Sequence, residues 1–175
     1  VCYLYLFLKK ESMSVLKSIE NKIFSLRELK SKIDFWKKNG EKIVFTNGCF
    51  DIIHNGHIEC LSKASEQGTK LVVALNSDTS VKKLKGNDRP ILDQKNRSMV
   101  LASLAFVDAV ILFNEQTPIN LIREILPNVL VKGDDYAIKD VAGHDIVQEN
   151  GGKVVLIPLV KGISSTQIIN DLNKS

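Results

Sequence analysis

The sequence predicts a doubly wound α/β domain built on a parallel sheet of about five strands, and two features predict it. Short apolar runs alternate with segments of helical periodicity, the pattern of β-α-β units whose strands are covered on both faces. Polar, often glycine-bearing sequences follow those runs, at the strand ends where such folds bind their ligands.

Residues 1–24 read as an N-terminal extension, partly helical or flexible. Its apolar opening, Val1 to Leu8, is far short of a membrane span. Lysines follow that run instead of preceding it as in a secretory signal. Residues 1–12 are expected to be a remnant upstream of a start at Met13. Ser25-Leu26-Arg27-Glu28 is a capping box. Leu26, Leu29, Ile33 and Trp36 then recur at helical spacing until Asn39-Gly40, so 25–40 is a leading helix packed outside the sheet.

The domain proper spans 41–172. Its first strand is 42–46, followed by a turn and a helix from about Gly56 to Glu66 that Gly68 closes. The second strand is 70–75. Asp93 caps a helix carrying Met99, Val100, Leu101 and Leu104, which leads to the strand Ala109 to Phe113. Thr117-Pro118 is an N-cap with proline at the first helical position; that helix runs to Leu126 and Pro127 ends it. A fourth strand at 129–132, a helix over 141–149, a turn at Gly151-Gly152, a fifth strand at 153–157 and a helix beginning near Ser164 complete the pattern.

At 175 residues the chain is one domain by size. Its net charge of +4 comes nearest to clustering at Lys82, Lys83, Lys85 and Arg89. No long basic stripe accompanies them, which argues against nucleic acid and suits a small polyphosphate. The cysteines Cys2, Cys49 and Cys60 lack C-x-x-C spacing, so neither a disulfide framework nor a zinc ribbon is indicated. A cytoplasmic protein with no membrane partner is the expectation.

The stretch Thr46 to His57, T-N-G-C-F-D-I-I-H-N-G-H, places His54 and His57 three apart at a helix start. Such residues share a face, and the helix end offers free N–H groups and partial positive charge to an anion. Gly48 and Gly56 let the backbone approach phosphates without an intervening Cβ. Imidazole donors there could position a triphosphate and stabilise charge at phosphorus. A structural pair or a metal site would produce the same spacing, although no cysteine or third histidine stands at zinc-ligand distance. Gly162-Ile163-Ser164-Ser165-Thr166 is a second potential anion-binding helix start on the same edge; read alone it is a plain serine cap.

H-x-G-H in the first β-α turn, a K-x-K-G sequence and a terminal G-I-S-S-T helix start together resemble the nucleotidyltransferase superfamily containing the glycerol-3-phosphate cytidylyltransferases and pantetheine-phosphate adenylyltransferases. The similarity runs from about Lys42 to Asn170 and implies a Rossmann-like fold. A-L-N-S-D, K-G-N-D-R-P, L-V-K-G-D-D-Y and P-L-V-K-G-I-S-S-T bring it closer to the heptose 1-phosphate adenylyltransferases, the second half of bifunctional ADP-heptose synthases. Cytidylyltransferases carry threonine where Cys49 stands and R-T-x-G where this chain has Leu159-Val160-Lys161-Gly162, so CTP use is disfavoured. The match covers only that second half, so the expectation is that a kinase and a phosphatase are separate proteins.

The resemblance implies transfer of AMP from ATP to D-glycero-β-D-manno-heptose 1-phosphate with Mg²⁺, and a possible homodimer. It assigns catalysis to His54, His57 and Lys85, the last reaching in from a mobile loop, with Lys82 and Lys83 merely solvated. Gly48, Cys49, Phe50, Gly56, Arg97, Lys132, Gly133, Ser164, Ser165 and Thr166 would bind nucleotide, Ser165 and Thr166 at the β/γ oxygens. Without the resemblance, Arg97 is equally a helix-surface salt bridge. Asp51, Asn76, Asp134, Asp135 and Tyr136 would form the sugar-phosphate or metal environment, with no dedicated metal cage; Asp51 is equally an Asx-turn residue. Competing readings are a cytidylyltransferase acting on glycerol 3-phosphate, a non-catalytic nucleotide-binding module, and a redox Rossmann protein, which the absence of G-x-G-x-x-G after the first strand disfavours.

Overall fold

The computed structural model describes residues 14–160 and 162–172. The expectation for residues 1–12, together with Met13, Cys2 and Lys161, lies outside them. Among the described residues, six parallel strands form one sheet in the order β1-β4-β3-β2-β5-β6. They are β1 (Ile23–Phe24), β2 (Ile43–Gly48), β3 (Lys70–Asn76), β4 (Ala109–Phe113), β5 (Val129–Gly133) and β6 (Lys153–Ile157). The helices are α1 (Val15–Glu20), α2 (Leu26–Lys38), α3 (Asn55–Ser65), α4 (Asp78–Lys85), α5 (Gln94–Ser103), α6 (Ile119–Ile125), α7 (His144–Glu149) and α8 (Ser165–Leu172), with a 3₁₀ turn at Ile138–Asp140.

Strand alternation builds two cores, one on each sheet face. Ile43 and Phe45 of β2, Val72 and Ala74 of β3, and Ala109 and Ile111 of β4 join the α2, α6 and α7 side chains Leu29, Ile33, Trp36, Ile122 and Val147. Val44, Leu71, Val73, Leu75 and Val110 join Leu61 and Ala64 of α3 and Leu101 and Ala102 of α5 on the other face. The leading helix is thus anchored by a buried stripe of Leu29, Ile33 and Trp36, each contributing roughly 1.5–3 kcal/mol. Its capping box is formed, Ser25 Oγ accepting from the Glu28 amide while the Glu28 carboxylate accepts from the Ser25 amide.

The sixth strand, β1, comes from the N-terminal extension: Ile23 and Phe24 pair with Val110 and Ile111 at the sheet edge. Two residues are too few to display the alternation by which a sequence announces a strand. Helix α4 is the other unforeseen element. Its sequence D-T-S-V-K-K-L-K buries Ser80 and Val81 and so has no apolar stripe. The Ser77 hydroxyl caps it by accepting from the Ser80 amide. Smaller shifts concern α6, whose cap is Pro118 and not Thr117, and α7, which begins at His144 after the 3₁₀ turn.

Strand β2 sits between β3 and β5, so the chain runs outward from β2 in both directions. A crevice opens over the C-terminal end of β2, where the loops of the two halves diverge.

Candidate active site

That crevice is a cleft of about 650 Å³. Its floor is Thr46 to Asp51 with the start of α3; one wall follows β3 and β4, the other follows β5 and β6. His54 is the N-cap residue of α3 and makes no side-chain cap, leaving the Asn55 and Gly56 amides without partners inside the helix, while the His57 amide donates to the His54 carbonyl at 2.9 Å. The His54 and His57 rings stack with centroids 3.9 Å apart at 26°. Phe50, held at φ 44°, packs edge-on against His57 at 5.2 Å. A Cβ on Gly56 would stand 3.1 Å from His54 Nδ1 and Cε1, so glycine is what admits the folded-back ring.

Burial lowers the pKa of His54. It lowers that of His57 further, to about 4, with the His54 ring adding to the effect and a backbone hydrogen bond to Ile52 opposing it. His57 is therefore neutral at pH 7, a one-donor, one-acceptor ring. Among the described residues, the buried side-chain polar atoms lacking a partner are Asn47 Oδ1, His54 Nδ1 and His57 Nδ1, and all three residues line the cleft. Native interiors rarely leave such groups uncompensated.

Lys85 lines the cleft from the last turn of α4, with Gly86 as the C-cap, and is not carried on a loop. It is exposed, as are Lys82 and Lys83, which do not line the cleft. Asp51 is fully buried and has its carboxylate engaged: Oδ1 accepts from the Ile91 and Leu92 amides at 2.8 and 3.0 Å, and Oδ2 from Arg89 Nε. Burial pushes its pKa up, but those amides and the guanidinium outweigh it and leave it below the ordinary carboxylate value. Asp51 is thus a loop anchor, with little left for a metal or an attacking group.

Arg97 stands neither on a helix surface nor at the cleft. It is 1% exposed and donates to the Leu92 carbonyl at 2.9 Å, the Cys49 carbonyl at 2.5 Å and Asp78 Oδ1 at 2.7 Å. This buried strut shapes the floor from behind. Asn76 is also buried and donates to Ser80 Oγ at 2.9 Å, while Cys49 Sγ approaches its Oδ1 at 3.9 Å. Burial raises the Cys49 pKa against the pull of nearby Lys85, Arg97 and Arg89.

On the opposite wall Lys132 Nζ donates to the Asn47 carbonyl at 3.3 Å and lies 5.6 Å over the Tyr136 ring. Burial lowers its pKa, with the Asp135 carboxylate opposing. Asp135 and Tyr136 face the cleft, whereas Asp134 turns away and accepts from the Leu159 amide at 3.0 Å. Gly133 has no room for a side chain: a Cβ would fall 2.7 Å from Asp135 Oδ1 and 2.8 Å from Leu159 Cδ2. At the start of α8, Ser164 Oγ accepts from the Gln167 amide and Ser165 Oγ donates to the Ile52 carbonyl. Ser165 therefore ties the two helix starts together, and Thr166 lines the cleft.

Sequence reasoning missed Arg89, Gln116-Thr117-Pro118 and Asp140-Val141-Ala142 as cleft residues. Thr117-Pro118 had a complete explanation as a helix start, and Arg89 stands out in the sequence only by its charge and its place in K-G-N-D-R-P, neither of which gives it a contact.

Residues 45–171 match the cytidylyltransferase-like family. The chain belongs to that family. As a cytidylyltransferase-like protein it is a nucleotidyltransferase. It is 50% identical over 148 residues to the Bifunctional protein HldE of Koribacter versatilis, covering 85% of this chain and 30% of that protein. It is 54% identical over 137 residues to HldE of Mesorhizobium japonicum, covering 78% and 28%. The chain thus spans about 30% of the length of the curated relatives it matches. Among solved structures, a lipopolysaccharide core biosynthesis protein from Thermoplasma volcanium superposes with TM-score 0.56 at 27% identity, over 71% of this chain and all of that one. Pantoate-beta-alanine ligase from Francisella tularensis shares the fold, with TM-score 0.58 at 18% identity over 87% of this chain and 78% of its own. No described helix of this cytidylyltransferase-like domain is long and apolar enough to cross a membrane.

Proposed function

We propose that this domain transfers AMP from ATP to D-glycero-β-D-manno-heptose 1-phosphate, yielding ADP-heptose and pyrophosphate. The observation that carries the reading is the stacked, neutral His54–His57 pair at the start of α3, in the cleft lined by Asn47, His54 and His57, which hold the partnerless buried side-chain polar atoms among the described residues. The 50% identity to Bifunctional protein HldE supports the choice of nucleotide and sugar.

An oxygen of the sugar phosphate attacks the α-phosphorus in line; the new P–O bond forms as the bond to the β-phosphate oxygen breaks, and pyrophosphate leaves with that electron pair. The His54 imidazole and the Asn55 and Gly56 amides of α3 donate to the α-phosphoryl oxygens, where charge develops, and His57, whose one N–H lies on the Ile52 carbonyl while the ring is neutral, gains a second donor by taking up a proton beside the phosphates. Lys85 neutralises charge from its exposed helix end, and the start of α8 holds the departing β and γ phosphates through Thr166 and backbone amides.

Among the described residues, no group of three or more His, Cys, Asp or Glu is placed to hold a metal ion. Asp135 and Asp140 line the cleft singly. That donor set fits Mg²⁺ carried in on the triphosphate, which takes one or two carboxylates beside phosphate oxygens and water. When bound, the ion would screen the phosphates and ease departure of pyrophosphate.

The test is pyrophosphate release with ATP or CTP against heptose 1-phosphate or glycerol 3-phosphate, with Mg²⁺. Release with ATP and the heptose is expected, and His57→Asn should lower kcat by about 10²–10³. Release confined to CTP and glycerol 3-phosphate would overturn the substrate assignment.

A further inference from the structure

We propose that Arg89, held through its Nε by Asp51, grips the phosphate of the acceptor, the sugar 1-phosphate that attacks ATP. The inference rests on the nucleotidyl-transfer reading above and extends it to the acceptor subsite.

The Arg89 side chain is 11% exposed, lines the cleft, and uses one donor among the described residues, its Nε on the fully buried Asp51 carboxylate. A guanidinium has five N–H donors, so the four on Nη1 and Nη2 remain uncommitted. Arg89 contributes none of the fully buried partnerless atoms among the described residues, so these donors open on the cleft, and a guanidinium edge matches two oxygens of a phosphate. Asp51 fixes the position of that edge. Its other oxygen holds the Ile91 and Leu92 amides, so one carboxylate pins both the arginine and the backbone just beyond it to the end of β2.

The sheet order says which phosphate this is. With β2 central, Lys85, Arg89 and Thr117 follow β3 and β4 on one side of the histidine pair, while Lys132 and Thr166 follow β5 and β6 on the other. In-line displacement requires the attacking oxygen and the leaving pyrophosphate on opposite sides of the α-phosphorus. Since pyrophosphate departs toward α8, the acceptor enters from the Arg89 side. Sequence alone offers no sign of this, because Arg89 and Asp51 are 38 residues apart.

The experiment is steady-state kinetics of Arg89→Gln, Arg89→Lys and Asp51→Asn, with ATP and acceptor varied separately. For Arg89→Gln the acceptor KM should rise tenfold or more while the ATP KM stays within twofold, which also reports an intact fold. Arg89→Lys, which keeps the charge and loses the fork, should fall in between; it carries the comparison if Arg89→Gln does not fold. Asp51→Asn should raise the acceptor KM several-fold at constant ATP KM, as expected of a positioning residue. An unchanged acceptor KM in the Arg89 variants, or a rise confined to the ATP KM, would overturn the assignment. An inactive wild type would instead sink the activity reading, and Arg89 would then be judged by thermal stabilisation with inorganic phosphate: a shift lost in Arg89→Gln supports the proposal, and equal shifts in both proteins refute it.

Discussion

Replacing Arg97 by methionine should unfold the floor of the cleft from behind before it touches the chemistry. The guanidinium joins three segments: the end of β2 through the Cys49 carbonyl, the loop before α5 through the Leu92 carbonyl, and the first turn of α4 through Asp78. Methionine fills much of the volume but leaves two carbonyls and a carboxylate without their donor. Breaking a buried ion pair by removing one partner costs about 3–5 kcal/mol. The Asp78 side chain is 32% exposed and can rehydrate, which favours the lower figure of about 3 kcal/mol. For a chain of this size that corresponds to a Tm lowered by roughly 6–12 °C. Thermal melts followed by circular dichroism, run beside ATP kinetics at a temperature where the variant stays folded, decide the matter. A Tm within about 2 °C of wild type combined with a tenfold higher ATP KM would refute the strut and restore the phosphate contact that family resemblance assigns to Arg97.

Acid should weaken the fold partly through His57. Its folded pKa of about 4 lies below the ordinary value of 6.5, so between those limits the unfolded chain binds more protons and stability falls as pH falls. The loss is on the order of 1–3 kcal/mol, allowing for the ring's partial exposure; urea melts at pH 7 and 4.5 should show a smaller loss in His57→Asn, and identical losses would contradict the shift. Lys85→Ala should lower kcat about 10-fold, the worth of one charge-assisted hydrogen bond, without moving Tm, because the side chain is exposed; unchanged turnover would remove it from the site. Gly133→Ala should destabilise by about 1–3 kcal/mol and raise the ATP KM, since the added Cβ meets Asp135 and the Leu159 side chain; wild-type stability in that variant would show that the wall yields more easily than its contacts suggest.

Much of the architecture was legible because its signals are local. The capping box at Ser25, the Asp93 cap and the apolar runs of β2 to β6 each lie within a few residues, and each forms near its expected limits. What escaped depends on distant partners. Strand β1 exists because β4 offers it an edge, and α4 is held by Ser77 and by Asp78's bond to Arg97, not by an apolar stripe. The site divides the same way. The histidine pair and the α8 start announce themselves through spacing, while Asp51, Arg97, Asp134 and Ser165 are each engaged by a group at least 19 and up to 113 residues away, Arg97 also by the nearby Leu92 carbonyl. No residue type distinguishes a carboxylate that meets a ligand from one that meets a loop.

The stack of His54 on His57 has a consequence for the energetics of substrate capture. Two imidazoles at 3.9 Å resist protonation, yet a polyphosphate laid against them supplies the counter-charge that protonation needs. Nucleotide binding will then draw hydrogen ions from the buffer, and its apparent enthalpy will vary with the ionisation heat of whichever buffer is used. The domain is in that sense a calorimetric reporter of its own occupancy, with affinity that grows as the medium becomes more acidic until the fold itself begins to give way.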